Sequence, residues 1–132
     1  MGSPDNEKDR SPDEGPVHKV TLSRPIAVGR FEVSRGEFAA FVARSNYKTD
    51  AERGDGCWGW NGKEWKSDAK FNWRNLGFAQ TDDHPVVCVS WNDAQAYVKW
   101  LNDQHPSLPA GKKFRLLTEA EWEYSARASQ GT

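Results

Sequence analysis

The chain has 132 residues, enough for one domain with a real core. Its net charge is −1 at pH 7 with no long run of Lys and Arg, which excludes a phosphate-tracking nucleic-acid surface. Hydrophobic residues make up 36%, none of them in a stretch near the roughly 20 residues that a bilayer span needs, and seven Trp point to an aromatic core.

Residues 1–16, MGSPDNEKDRSPDEGP, read as a polar arm or loop. They show no secretory signal, so the compartment stays open between the cytoplasm and export after signal removal. From Val17 the pattern alternates. HKVTL (18–22) and IAVGRFEV (26–33), separated by Ser23-Arg24-Pro25, predict a β-hairpin across 17–33. Ser34 and Glu37 form an S-x-x-E capping box, and Phe38, Phe41 and Val42 then recur at helical spacing, so a helix runs from Ser34 to about Asn46.

Residues 47–83 are the least regular part. They hold Trp58, Trp60, Trp65 and Trp73 among glycines and charges, and predict a long structured loop with short strands in GWNGKEW. These four Trp are the candidate ligand-binding residues, since aromatics on a Gly-rich loop can stack on a sugar or grip a peptide. The competing reading has them plugging the core beneath the loop.

HPVVCVSW (84–91) begins as an apolar run leading into a strand. Asp82, Asp83 and His84 before it read as a turn rather than as metal ligands, because adjacent residues rarely converge on one ion. Ser90 and Asp93 give a second cap signal. The helix that follows, WNDAQAYVKWLND, predicts a stripe of Trp91, Ala94, Tyr97, Val98 and Leu101. It should stop before Pro106, with FRLL (114–117) as a short extended piece.

Thr118 and Glu121 form a third capping box, with Leu117 and Trp122 at the staple positions. Glu119, Glu121 and Glu123 crowd the first turns of that helix. Negative charge is favoured there by the macrodipole, so capping is preferred over acid–base chemistry. RASQGT (127–132) offers no closing strand.

Two cysteines, Cys57 and Cys88, allow three readings. Paired thiolates suit Cu(I), a disulfide is a second reading, and two free thiols are a third. Free thiols are preferred, because Cys88 lies within an apolar run and the low count fits a reducing compartment.

DHPVVCVSWNDAQAYVKWLN (83–102) followed by FRLLTEAEWEYSARA (114–128) resembles the formylglycine-generating-enzyme, or sulfatase-modifying-factor, domain family. MGSPDNEKDRSPDEGPVHKVTL and FEVSRGEFAAFVARSNY are similar to that family's upstream segments, in the same order. The resemblance implies an α+β fold of C-type lectin-like type, here truncated, with short antiparallel strands, three helices and much irregular loop. It also implies an oxidoreductase that uses copper and O₂ to convert a sulfatase Cys to formylglycine, with calcium in complete members.

The family's catalytic cysteine pair lies in a later G-G-S…C…C…R segment that is not among these residues. Neither Cys57 nor Cys88 matches it. Leu117 stands where the family usually has Pro, and Val98 and Ala126 where some members carry structural Cys. The resemblance therefore implies the first part of the domain, 1–132, without catalytic residues or cofactor of its own. The alternative is a non-catalytic lectin-like module that holds a peptide, a glycan or a second copy of itself.

Overall fold

The computed structural model describes residues 1–127. The expectation that the chain closes without a strand falls, for 128–132, outside those residues. The described chain mixes helices with two short antiparallel strands and divides into two compact units, Gly29–Leu116 and Met1–Val28 with the chain from Leu117 onward.

In the first of these units the capping boxes set the helices. Ser34 caps α1 (Arg35–Ser45): its Oγ accepts the Glu37 N–H at 3.2 Å, and Glu37 accepts the Ser34 N–H at 2.8 Å. Asn46 ends the helix in the left-handed conformation, with φ 54°. After it comes a helix that the sequence reading missed, α2 (Asp50–Arg53). Its signal was present in KTDAER, where Thr49 and Glu52 make the same reciprocal pair of bonds. The hairpin of β1 (Cys57–Trp60) and β2 (Trp65–Asp68) lies where short strands were expected.

Ser90 and Asp93 cap α3 (Trp91–Gln104). Its inward face differs from the predicted stripe. Tyr97 is buried, with Ala96, Trp100 and Leu101 packed beside it, whereas Trp91 is 68% exposed. Asp93 is the residue turned inward, and Trp91 stands about 200° round the helix from it.

The core is aromatic, as composition required. Phe38 contacts Phe41 and Trp73, each with ring centroids 5.3 Å apart and edge-to-face. Phe41 meets Tyr97 at 5.6 Å and Trp100 at 5.5 Å, so one helix's rings interleave with the other's. A polar knot lies against this core. The fully buried Asp93 carboxylate accepts the Tyr47 hydroxyl at 3.0 Å, the Asp50 N–H at 3.0 Å and the Ser90 N–H at 2.8 Å.

The predicted 17–33 hairpin does not form. No strand is assigned there, and the nearest approach to a ladder is the Ser34–Pro85 bridge with Val33 accepting the Val86 N–H at 2.9 Å. Alternation marked the segment as strand-like, but a strand also needs a neighbour to take its backbone bonds. The 84–89 run likewise stays irregular.

In the other unit, residues 1–16 are more than an arm. The Gly2 N–H reaches both carboxylate oxygens of Glu123 on α4 (Glu119–Arg127), at 3.0 and 3.2 Å. Arg127 holds Glu123 at 2.9 Å and the buried Ser3 hydroxyl at 3.2 Å. Gly2 has φ 90°, and a Cβ there would meet the Glu14 carbonyl at 2.7 Å, so this close approach requires glycine. Thr118 and Glu121 cap α4 as expected, with bonds of 2.9 and 3.3 Å. Trp122, the proposed staple partner of Leu117, is exposed.

Candidate functional site

An exposed aromatic surface is built on the β1–β2 hairpin. Asn61 makes its turn, with Oδ1 accepting the N–H groups of Lys63 at 2.8 Å and Glu64 at 3.0 Å. The register sets Trp60 opposite Trp65. Side chains alternate along a strand, so Trp58 and Trp60 share one face and Gly59 the other. Gly59 is buried on the Phe71 ring, where any Cβ would come within 2.5 Å of ring carbon. That seat forces the tryptophan face outward.

The four candidate tryptophans separate accordingly. Trp58 is 67% exposed and Trp65 is 55% exposed. Trp60 is half-buried and meets Trp65 edge-on at 6.1 Å, and Trp65 meets the exposed Phe78 at 5.8 Å. Trp73 does not belong to this surface. It is 2% exposed, packs on Phe38, and donates its Nε1–H to Glu52 at 3.3 Å. For Trp73 the core reading holds, and Phe78 takes its place in the exposed set. Sequence spacing alone could not separate them; the Gly59 seat turns the hairpin rings outward, and the Phe38 contact holds Trp73 in the core.

Glu52 organises the base of this loop. Burial pushes its carboxyl up, but bonds from Thr49, Arg74 and the Trp73 indole outweigh that and hold it below its ordinary range. Arg74 also lies over the Trp73 ring, 4.2 Å from its centroid.

Cys57 and Cys88 form a disulfide, which corrects the free-thiol reading and the weaker metal-pair reading. The fold brings their Cα atoms to 5.8 Å, inside the range a disulfide bridges. With each sulfur bonded to the other, the pair does not fit a thiolate site for copper. Among the described residues no cluster of three or more His, Cys, Asp or Glu could hold a metal ion.

The Asp82–His84 stretch is a turn, as expected. His84 Nδ1 bonds the Thr81 N–H at 2.8 Å, and Asp82 pairs with Arg35 at 2.8 Å beside the start of α1. His18 and His105 are exposed, the latter against Phe114. Glu121 is buried within its capping box and Glu123 anchors the N-terminal segment through the Gly2 N–H, whereas Glu119 is exposed in the first turn. No described helix is long and apolar enough to cross a membrane.

Comparison with known proteins places these features. A family profile described as sulfatase-modifying factor enzyme 1-like domain matches residues 1–132. A formylglycine-generating enzyme of Thermomonospora curvata is 38% identical over 96% of this chain and 45% of its own length. One from Streptomyces coelicolor is 39% identical over 86% of this chain and 39% of its own length. A Bos taurus protein named inactive C-alpha-formylglycine-generating enzyme 2 is 33% identical over 86% of this chain and 41% of its own length. The chain thus spans less than half the length of these relatives. It belongs to the sulfatase-modifying factor family.

Proposed function

We propose that this chain is scaffold from a formylglycine-generating-type protein, of C-type lectin-like architecture, and that it is inactive by itself. The whole protein would use copper and O₂ to oxidise the Cys of a sulfatase C-x-P-x-R peptide to formylglycine, with calcium supporting the complete domain. The observation that carries this reading is the ordered family match across 1–132, set beside two cysteines that are spent on a bond to each other. The oxidising thiols then come from sequence outside these residues.

The test is direct. The 132-residue chain, folded by circular dichroism, is incubated with copper, a reductant, O₂ and a C-x-P-x-R peptide. Mass spectrometry is expected to find no aldehyde. Conversion would mean that the reduced Cys57 and Cys88 have taken up the metal, and the proposal would fall.

A second reading is a non-catalytic module that binds a peptide or glycan on the hairpin. Two observations favour it: the exposed Trp58, Trp65 and Phe78, and relatives in Bos taurus and Mus musculus that are named inactive. Quenching of tryptophan fluorescence by peptide or oligosaccharide tests it, and a flat titration with both removes it.

A further inference from the structure

The disulfide sits where it controls the aromatic hairpin. Cys57 is the first residue of β1, and Cys88 lies two residues before the Ser90 cap of α3. Among the described residues, the hairpin's hydrogen bonds and ring contacts outside itself run to residues 70–78: Asp68 accepts the Lys70 N–H at 3.1 Å, Trp60 donates its N–H to the Leu76 carbonyl at 2.8 Å, Gly59 rests on Phe71, and Trp65 meets Phe78. The bond to Cys88 is its tie to the segment that starts α3.

The bond is also within reach of solution. Both cysteines are half-buried, and their neighbours Trp58 and Val87 are exposed. Cys88 has φ 63°, a left-handed conformation that is uncommon for a residue other than Gly, Asn or Asp. A disulfide that is incompletely buried and anchored at a strained backbone position is more readily reduced by thiols than a relaxed, fully buried one.

We propose that Cys57–Cys88 is a redox-sensitive clamp that fixes the Trp58–Trp65 face against the start of α3. A small thiolate attacks one sulfur, the S–S bond breaks, and the other cysteine leaves as a thiolate that takes a proton. A second reductant thiol resolves the mixed disulfide. The net change is two protein thiols and one oxidised reductant, a two-electron, two-proton exchange. Once open, the clamp lets the hairpin move on its 70–78 seat and disperses the exposed rings. This regulates the same hairpin as the binding reading above, and its consequence for a ligand rests on that reading.

The test takes the full chain through glutathione buffers from oxidised to reduced, traps thiols by alkylation, and follows amide exchange by mass spectrometry. Reduction is expected to be reversible. Exchange across 57–68 should rise about tenfold more than in α1 and α3. A Cys57→Ser/Cys88→Ser variant should behave as the reduced form in every buffer. A bond that persists in all buffers overturns the clamp. So does reduction that leaves hairpin exchange in step with the helices, or that unfolds α1 and α3 as well. The ligand probe is a C-x-P-x-R peptide with its Cys replaced by Ser, expected to bind the oxidised form more tightly. If exchange changes as stated but the peptide binds neither form, the clamp stands and the peptide reading is the part that fails.

Discussion

The Tyr47 hydroxyl donates to the Asp93 carboxylate at 3.0 Å, at a point where Asp93 has no exposed surface. Burial and the neighbouring carboxylate both push the Tyr47 phenol up, which keeps it a donor. Asp93 also satisfies the N–H groups of Asp50 and Ser90, so one side chain closes the approach to α2 and the start of α3. Tyr47→Phe removes one donor and should cost about 1 kcal/mol. Asp93→Ala strands several buried donors and should cost about 3 kcal/mol. Urea denaturation measures both, and equal costs would contradict the hub role.

Glu52 gives the molecule an acid limit. Its carboxyl is held below the ordinary value by Thr49, Arg74 and the Trp73 indole, against the opposing effect of burial. A carboxyl depressed in the folded state contributes stability at pH above its unfolded value, 4.5, and loses that contribution as pH falls through the lower folded value. Stability should therefore decline below about pH 4.5, and Glu52→Gln should flatten that decline while lowering stability at neutral pH. Denaturation midpoints across pH 3 to 7, as about five points, would show it; parallel curves for the two proteins would refute it.

The capping pair on α4 makes the helix separable from chemistry. Thr118→Ala should lower stability by about 1 kcal/mol, because the Glu121 N–H loses its acceptor. Glu119→Gln should change stability by less than about 0.5 kcal/mol, since that side chain is exposed. A larger effect on any assayed activity than on stability would reopen a catalytic role for these glutamates.

α1, α3 and α4 were legible because their signals are local, whereas the four-residue α2, with the same kind of signal at Thr49 and Glu52, was missed for want of an apolar repeat behind it. Ser34 with Glu37, Ser90 with Asp93 and Thr118 with Glu121 each lie three residues apart, and each pair forms the bonds its spacing implies. The Asn61 turn is local too, and the short strands around it were expected. The disulfide was not legible. Cys57 and Cys88 are 31 residues apart, and only the folded hairpin sets their Cα distance. The strand-like 17–33 segment misled for the same reason, since alternation specifies a face but not a partner. Among the four tryptophans, the Gly59 seat on Phe71 turns Trp58 outward while Trp73, on another segment, packs on Phe38, and neither contact is readable from spacing.

That strand-like segment, backbone-bonded at His18 and Val33, carries its own prediction. Val17, Val20 and Val28 are exposed, in chain that is neither helix nor strand. Strand-like chain outside a ladder, with exposed apolar groups, seeks partners, so the 132-residue chain should self-associate as concentration rises. Light scattering measures this, and Val20→Lys should reduce it. A monodisperse monomer at high concentration would count against it.

Trp58 and Trp73 provide the sharpest contrast. Trp73 fills the core against Phe38 with its indole N–H bonded to Glu52. Trp73→Ala should cost about 3–5 kcal/mol, as removal of a buried aromatic does. Trp58 is 67% exposed and has no ring partner among the described residues, so Trp58→Ala should alter stability by less than about 0.5 kcal/mol. Peptide or glycan binding should show the reverse dependence. Trp58→Ala should weaken binding about tenfold, as loss of an aromatic contact worth more than about 1 kcal/mol would. A Trp65→Ala variant should do the same and also release Phe78 from its ring contact. Calorimetric titration beside thermal melts separates the two effects. If Trp58→Ala destabilises as much as Trp73→Ala, the hairpin face is packed in solution and cannot be the binding surface. If both variants are stable and binding is unchanged, the ligand contacts another part of the chain.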